Sequence, residues 1–186
     1  VILHGGGKRR EINGKLRKLG LPGLRRAGGK EPRKLPKAPI AVIWSPLPDG
    51  SPSTRAANPG NYYPGDRYVD WVGTDFYSRY PYWGDLKDFY RRFAKQRHKP
   101  FALTEWGLWG GDAPGFVRRL FRFTRTHRHT RMLVYYQDFG GHNQFRIQNY
   151  PASLNVLAGE IDSPRYPGLA PHPMAPEPIG GGGIGR

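Results

Sequence analysis

Between Ile40 and Leu157 the chain alternates short runs of β-branched and aromatic residues with stretches whose apolar residues recur at helical spacing. Ile40–Trp44, Tyr68–Val72, Phe101–Thr104 and Met132–Tyr136 have the length and composition of buried strands. Between the second and third runs, Leu86, Phe89, Tyr90 and Phe93 fall at i, i+3, i+4 and i+7, so they share one face of a helix and leave Arg91, Arg92 and Lys95 to water. Between the third and fourth, Phe116, Val117, Leu120 and Phe121 repeat the pattern. Asp112 is the expected N-cap there and Pro114 belongs to the first turn, with Arg118, Arg119, Arg122 and Arg125 on the solvated face. A last helix is expected over Ala152–Leu157.

Such alternation specifies an α/β fold, a parallel sheet with helices packed on it. If Val1–His4 is one more strand, the order matches strands four to eight of a partial (β/α)8 TIM barrel, and without Val1–His4 it matches strands five to eight; a small self-contained α/β domain fits almost as well. The 186 residues suffice for one domain but fall short of the roughly 250 of a complete barrel. The chain enters an apolar run at Val1 with no initiating methionine, so a fragment is expected.

A formal charge of +16 would ordinarily point to a polyanion partner. Its distribution weakens that inference. Residues 1–37 hold 12 Lys and Arg against Glu11 and Glu31, a net of +10 out of the +16. Residues 1–38 therefore form a basic Gly/Pro-rich segment, expected to be loop or disorder, and residues 163–186 a Pro/Gly-rich tail. The informative body is 39–162. Without cysteine there are no disulfides or thiolate metal sites, and no run of 18 apolar residues can span a membrane. His127 and His129 lie two apart, His98 and His142 are isolated, and no His-x-x-x-His spacing occurs, so neither metal nor cofactor is expected.

In parallel α/β architectures functional groups gather at the C-terminal ends of strands. Polar groups stand there in Gly73–Tyr77, in Thr104–Gly107 and in Tyr136-Gln137-Asp138. Glu105 follows an apolar strand and is flanked by Trp106 and Trp109, which would shield its carboxylate from water. A carboxylate so placed can attack an anomeric carbon, or it can be a cap or an ion-pair partner.

The run from Asn61 to Tyr77, with Tyr63-Pro64-Gly65-Asp66, Val69-Asp70-Trp71-Val72-Gly73 and Asp75-Phe76-Tyr77, resembles the corresponding succession in family-26 glycoside hydrolases. Trp44-Ser45-Pro46 is similar to their Trp-x-Pro after strand five. Lys99-Pro100, the following strand and Glu105-Trp106-Gly107 resemble the segment that carries their nucleophile on strand seven. The likeness runs from about residue 40 to 158. It implies a (β/α)8 barrel that cleaves β-1,4 bonds in mannan, or a related glucan or xylan, with retention of configuration, in a secreted or extracellular protein whose partner is the polysaccharide. Glu105 matches the nucleophile, Asp75 and Tyr77 the pair beside it, and Tyr136 stands near an aromatic sugar platform, with Tyr135 turned the other way. Trp106, Trp109 and Trp83 are further candidates for stacking on sugar.

A retaining mechanism needs a second carboxyl about 5 to 5.5 Å from the first. The family carries it in a His-Glu-Met-Asn-type motif after strand four, and Arg10-Glu11-Ile12-Asn13-Gly14 matches in Glu, Asn and Gly. Glu11 is thus the candidate acid/base, although a neighbouring Arg10 lowers a carboxyl pKa, the wrong direction for a general acid. Two other function classes are open. One is a carbohydrate-binding relic that keeps Asp75, Tyr77 and the aromatic platforms without a working acid. The other is a nucleic-acid-binding protein that uses the basic arm, with affinity falling steeply as salt rises.

Overall fold

The structure, a computed structural model, describes residues 5–21, 23, 34–37, 40–137 and 144–166. The expected strand Val1–His4, Asp138, and the tail beyond residue 166 lie outside the described residues.

The basic segment is not simply loop. Strand β1 (Gly5–Lys8) leads into helix α1 (Arg9–Lys18), and β1 pairs antiparallel with β2 (Lys34–Lys37), Gly7 opposite Leu35. Composition hid this element. Ile12 and Leu16, four apart, are both buried, while Glu11 in the first turn and Lys15, Arg17 and Lys18 in the last complement the helix dipole.

The body is an α/β unit with a four-stranded parallel sheet of β3 (Ile43–Trp44), β4 (Trp71–Tyr77), β5 (Phe101–Gly107) and β6 (Thr130–Tyr135), side by side in chain order. β3 is shorter than expected and β4 starts later and runs further. Tyr68, expected to open β4, instead closes one 3-10 turn over Asp66–Tyr68, with the Lys99 ammonium donating to the carbonyls of Asp66 and Val69 at 2.8 and 2.6 Å. Asp75 and Tyr77 therefore lie within the strand rather than beyond it.

α2 (Trp83–Phe89) runs on as a π-helical turn through Tyr90–Lys95 and connects β4 to β5; α3 (Pro114–Thr126) connects β5 to β6; α4 (Pro151–Ile161) packs on α3. The periodic residues are the buried ones. Leu86, Phe89, Tyr90 and Phe93 meet Phe116, Val117, Leu120 and Phe121 in one core against the outer face of the sheet, which contributes Val72, Phe76, Phe101, Leu103 and Trp106. Asp112 does not cap α3. It accepts from the Ala152 and Ser153 amides at 2.9 Å and caps α4 instead, a partner some forty residues away that local spacing could not reveal.

Candidate active site

The inner face of the sheet, away from the helices, carries the polar groups. On β4, Gly73, Asp75 and Tyr77 alternate with the buried Val72, Thr74 and Phe76. On β5, Phe101 and Leu103 point to the helix side, and strict alternation would send Glu105 there too. A bulge prevents it. Thr74 pairs with Leu103 but the next residue, Asp75, pairs with Glu105, so Thr104 is an extra residue. Thr104 and Glu105 consequently both reach the inner face, and Trp106 returns to the core.

Two short hydrogen-bond chains result. The Tyr77 hydroxyl donates to Glu105 Oε1. Thr104 Oγ1 donates to Asp75 Oδ1 at 3.2 Å and is itself hydrogen-bonded to the Ser45 hydroxyl at the end of β3. Glycine makes room for both. A Cβ on Gly73 would lie 2.6 Å from Thr104 Cγ2, and one on Gly107 would lie 3.1 Å from Tyr77 Cε1.

Burial is the main cause that pushes the Asp75 carboxyl above its ordinary pKa, and the charge of Glu105 adds to it, against the hydrogen bond from Thr104. Burial likewise raises the Tyr77 hydroxyl well above the usual tyrosine value, followed by its hydrogen bond to Glu105. Tyr77 therefore remains a donor wherever Glu105 is ionised.

Asp75 and Tyr77 line a cleft of about 650 Å³, and Glu105 is not among its lining residues. Its lining is mostly apolar, with Leu47, Pro48, Tyr80, Tyr82 and Trp109, and adds Asp49 and Asp85 but no Lys or Arg among the described residues. The Asp85 carboxyl is raised by burial, then by the charges of Asp49 and Asp88. In a strongly basic chain this is an acidic, aromatic groove. Its rings and carboxyls can offer a ligand apolar stacking faces and hydrogen-bond acceptors, with the Arg79 guanidinium over the Tyr80 and Trp109 rings.

The sequence-predicted residues divide accordingly. Glu105, Asp75 and Tyr77 come together. Tyr136 is exposed and reaches the same end through Phe145, 5.1 Å from its ring and 5.6 Å from that of Tyr77. Tyr135 does turn away, onto Trp106, with its hydroxyl donating to the Phe145 carbonyl at 2.8 Å. Trp106, expected as a sugar platform, is 2% exposed between Phe116, Phe121 and Tyr135, which excludes stacking on a ligand. The bulge that frees Glu105 is what buries it. Trp83 is also packed, against Phe76 and Phe116 with the Arg119 guanidinium over its ring.

Trp109 is the tryptophan that lines the cleft, its amide donating to Ser78 Oγ at 2.8 Å. Glu11 lies exposed in the first turn of α1, and among the described residues no hydrogen bond or ion pair brings it to Glu105. Tyr80, Tyr82, Asp49 and Asp85 had no sequence signal beyond their residue type, since the fold alone gathers them. The described residues hold no cluster of His, Asp or Glu suited to a metal ion. No model of a known protein family matches the chain, and no curated protein matches it.

Proposed function

We propose that the chain is the C-terminal part of a (β/α)8-barrel glycoside hydrolase that cleaves a neutral β-1,4-linked polysaccharide of the mannan type with retention of configuration. The observation that carries the reading is the Tyr77 hydrogen bond to Glu105 beside Asp75, where Tyr77 and Asp75 line an acidic aromatic cleft and Glu105 stands behind Tyr77. The strand order supports the barrel component, because consecutive parallel strands are spatial neighbours in a barrel, whereas doubly wound sheets reverse direction at a switch point.

Glu105 attacks the anomeric carbon and Tyr77 fixes the attacking carboxylate by a charge-assisted hydrogen bond. The second carboxyl of the retaining pair is Asp75 in this reading rather than Glu11. Its backbone is the register partner of Glu105, across strands that lie about 4.8 Å apart, and its raised pKa is the direction a proton donor needs. Glu11, on α1, is not a register partner of Glu105.

Incubation with a 2-deoxy-2-fluoro mannoside bearing a good leaving group tests the assignment. The expected result is a stable glycosyl adduct on the peptide containing Glu105, absent from Glu105→Gln. Oligosaccharide binding without adduct or hydrolysis would select the carbohydrate-binding relic instead.

A further inference from the structure

The basic segment that precedes the parallel sheet carries a surface of its own. β1 and β2 pair with each other and not with the strands of the body, and α1 lies between them in the chain. Ile12 and Leu16 turn one side of α1 inward, at 6% and 7% exposure. The rest of the helix is cationic. It holds Lys8, Arg9, Arg10, Lys15, Arg17 and Lys18 against Glu11, a net charge of +5, and all of these basic residues but Arg9 are exposed.

Two leucines stand beside this charge. The chain leaves α1 through Leu19 and Gly20, whose φ of +68° is the left-handed conformation that closes a helix. The Gly20 amide donates to the Arg17 carbonyl at 3.0 Å and the Leu21 amide to the Leu16 carbonyl at 2.9 Å, the two bonds of a Schellman cap. The cap fixes the backbone on both sides of Gly20, yet Leu19 and Leu21 remain 66% and 47% exposed. Lys15, Lys18 and Leu19 fall at i, i+3 and i+4, on one face of the helix. Such a helix end has the two properties of a peripheral membrane contact: apolar side chains that leave water for the acyl boundary, and charges that meet anionic headgroups. Nucleic acid would use the charge alone. Residues 1–37 contain no Phe, Trp or Tyr to stack on bases, and the leucines would stay in water.

We propose that the C-terminal end of α1 docks the chain on an anionic lipid surface, with Leu19 and Leu21 entering the headgroup region and Lys15, Arg17 and Lys18 meeting the negative headgroups. The proposal does not rest on the glycosidase reading, because it uses no residue of the cleft or of the parallel sheet.

Cosedimentation of the full chain with vesicles at fixed ionic strength tests it, phosphatidylcholine alone being compared with phosphatidylcholine containing about one third phosphatidylserine. Binding is expected to the anionic vesicles and not to the neutral ones. It should weaken about tenfold or more in Lys15→Gln/Arg17→Gln/Lys18→Gln, and several-fold in Leu19→Ser/Leu21→Ser, which leaves the charge untouched. Leu19→Trp should tighten it, because indole favours the membrane interface. Ile161→Ser, which removes an exposed apolar side chain from α4, should bind as the parent does. Three outcomes overturn the proposal: no binding to the anionic vesicles, including the case in which a duplex oligonucleotide is bound instead; equal binding to vesicles with and without phosphatidylserine; or an affinity that neither Leu19→Ser/Leu21→Ser nor Leu19→Trp changes.

Discussion

Tyr77 and Glu105, on neighbouring strands, are joined by a hydrogen bond that exists because Thr104 is an extra residue in β5. Hydrogen bonds to charged groups contribute about 1.5–3 kcal/mol, so Tyr77→Phe should lower kcat by about 10- to 100-fold. Glu105→Gln should abolish turnover. Steady-state kinetics on soluble mannan measures both, and a Tyr77→Phe enzyme with parental kcat would remove Tyr77 from the mechanism.

Asp75 separates two roles by leaving group. As the proton donor, its replacement by Asn should cost about 10²- to 10⁴-fold on a natural glycan and far less on a dinitrophenyl glycoside, whose departure needs no proton. Glu11→Gln should leave both rates near parental. Equal losses on the two substrates would make Asp75 a binding group instead.

Stability carries its own sign. The folded protein holds the Asp75 proton more tightly than the unfolded chain does, because its pKa is raised. The associated stability is fully present below the ordinary carboxylate pKa and is lost as pH rises through the raised one. Asn never ionises, so the melting temperature of Asp75→Asn relative to the parent should climb from acid to neutral pH. A flat difference would contradict the burial argument.

These relationships mark the boundary of what the sequence discloses. The faces of α2 and α3 were legible because a period of 3.6 is a local property, and every periodic residue from Leu86 to Phe121 is buried as that spacing requires. Glu105, Asp75 and Tyr77 were legible as residue types in succession. Their juxtaposition came from the resemblance alone, because a bulge breaks the two-residue period that assigns faces in a strand. The same break sent Trp106, expected as a sugar platform, into the core. α1 was missed because a short amphipathic pair, Ile12 and Leu16, was outweighed by Gly, Lys and Arg in the composition. The gathering of Arg125, Arg128, Arg131 and Arg165 where β6 begins was also hidden. It draws on α3, β6 and the segment after α4, and only the fold unites them.

Gly73 is where the bulge meets its neighbour. Alanine would place its Cβ 2.6 Å from Thr104 Cγ2 and 3.1 Å from the Ala102 carbonyl, which is backbone of a central strand and cannot retreat. Overpacking of this kind costs about 1–3 kcal/mol. Because Thr104 must shift, its bond to Asp75 is lost as well, so Gly73→Ala should reduce both the urea midpoint and kcat. Loss of stability with full kcat would show that the threonine contact is dispensable.

The two tryptophans that bracket Gly107 make opposite predictions from one substitution. Trp106 fills the core, and truncating a buried aromatic costs about 3–5 kcal/mol, so Trp106→Ala should unfold at markedly lower urea. Trp109 is half-buried, touching Tyr77, Tyr80 and Phe145 from the cleft side, with Arg79 5.2 Å from its ring. Its alanine variant should keep most of the stability. If the ring stacks on a sugar, the loss is an aromatic contact of about 0.5–1.5 kcal/mol, a rise of about 2- to 10-fold in KM. Comparing urea midpoints with KM for the pair distinguishes a platform from a core residue. A Trp109→Ala protein as unstable as Trp106→Ala, with unchanged KM, would return Trp109 to packing and leave Tyr80 and Tyr82 as the rings that meet the substrate.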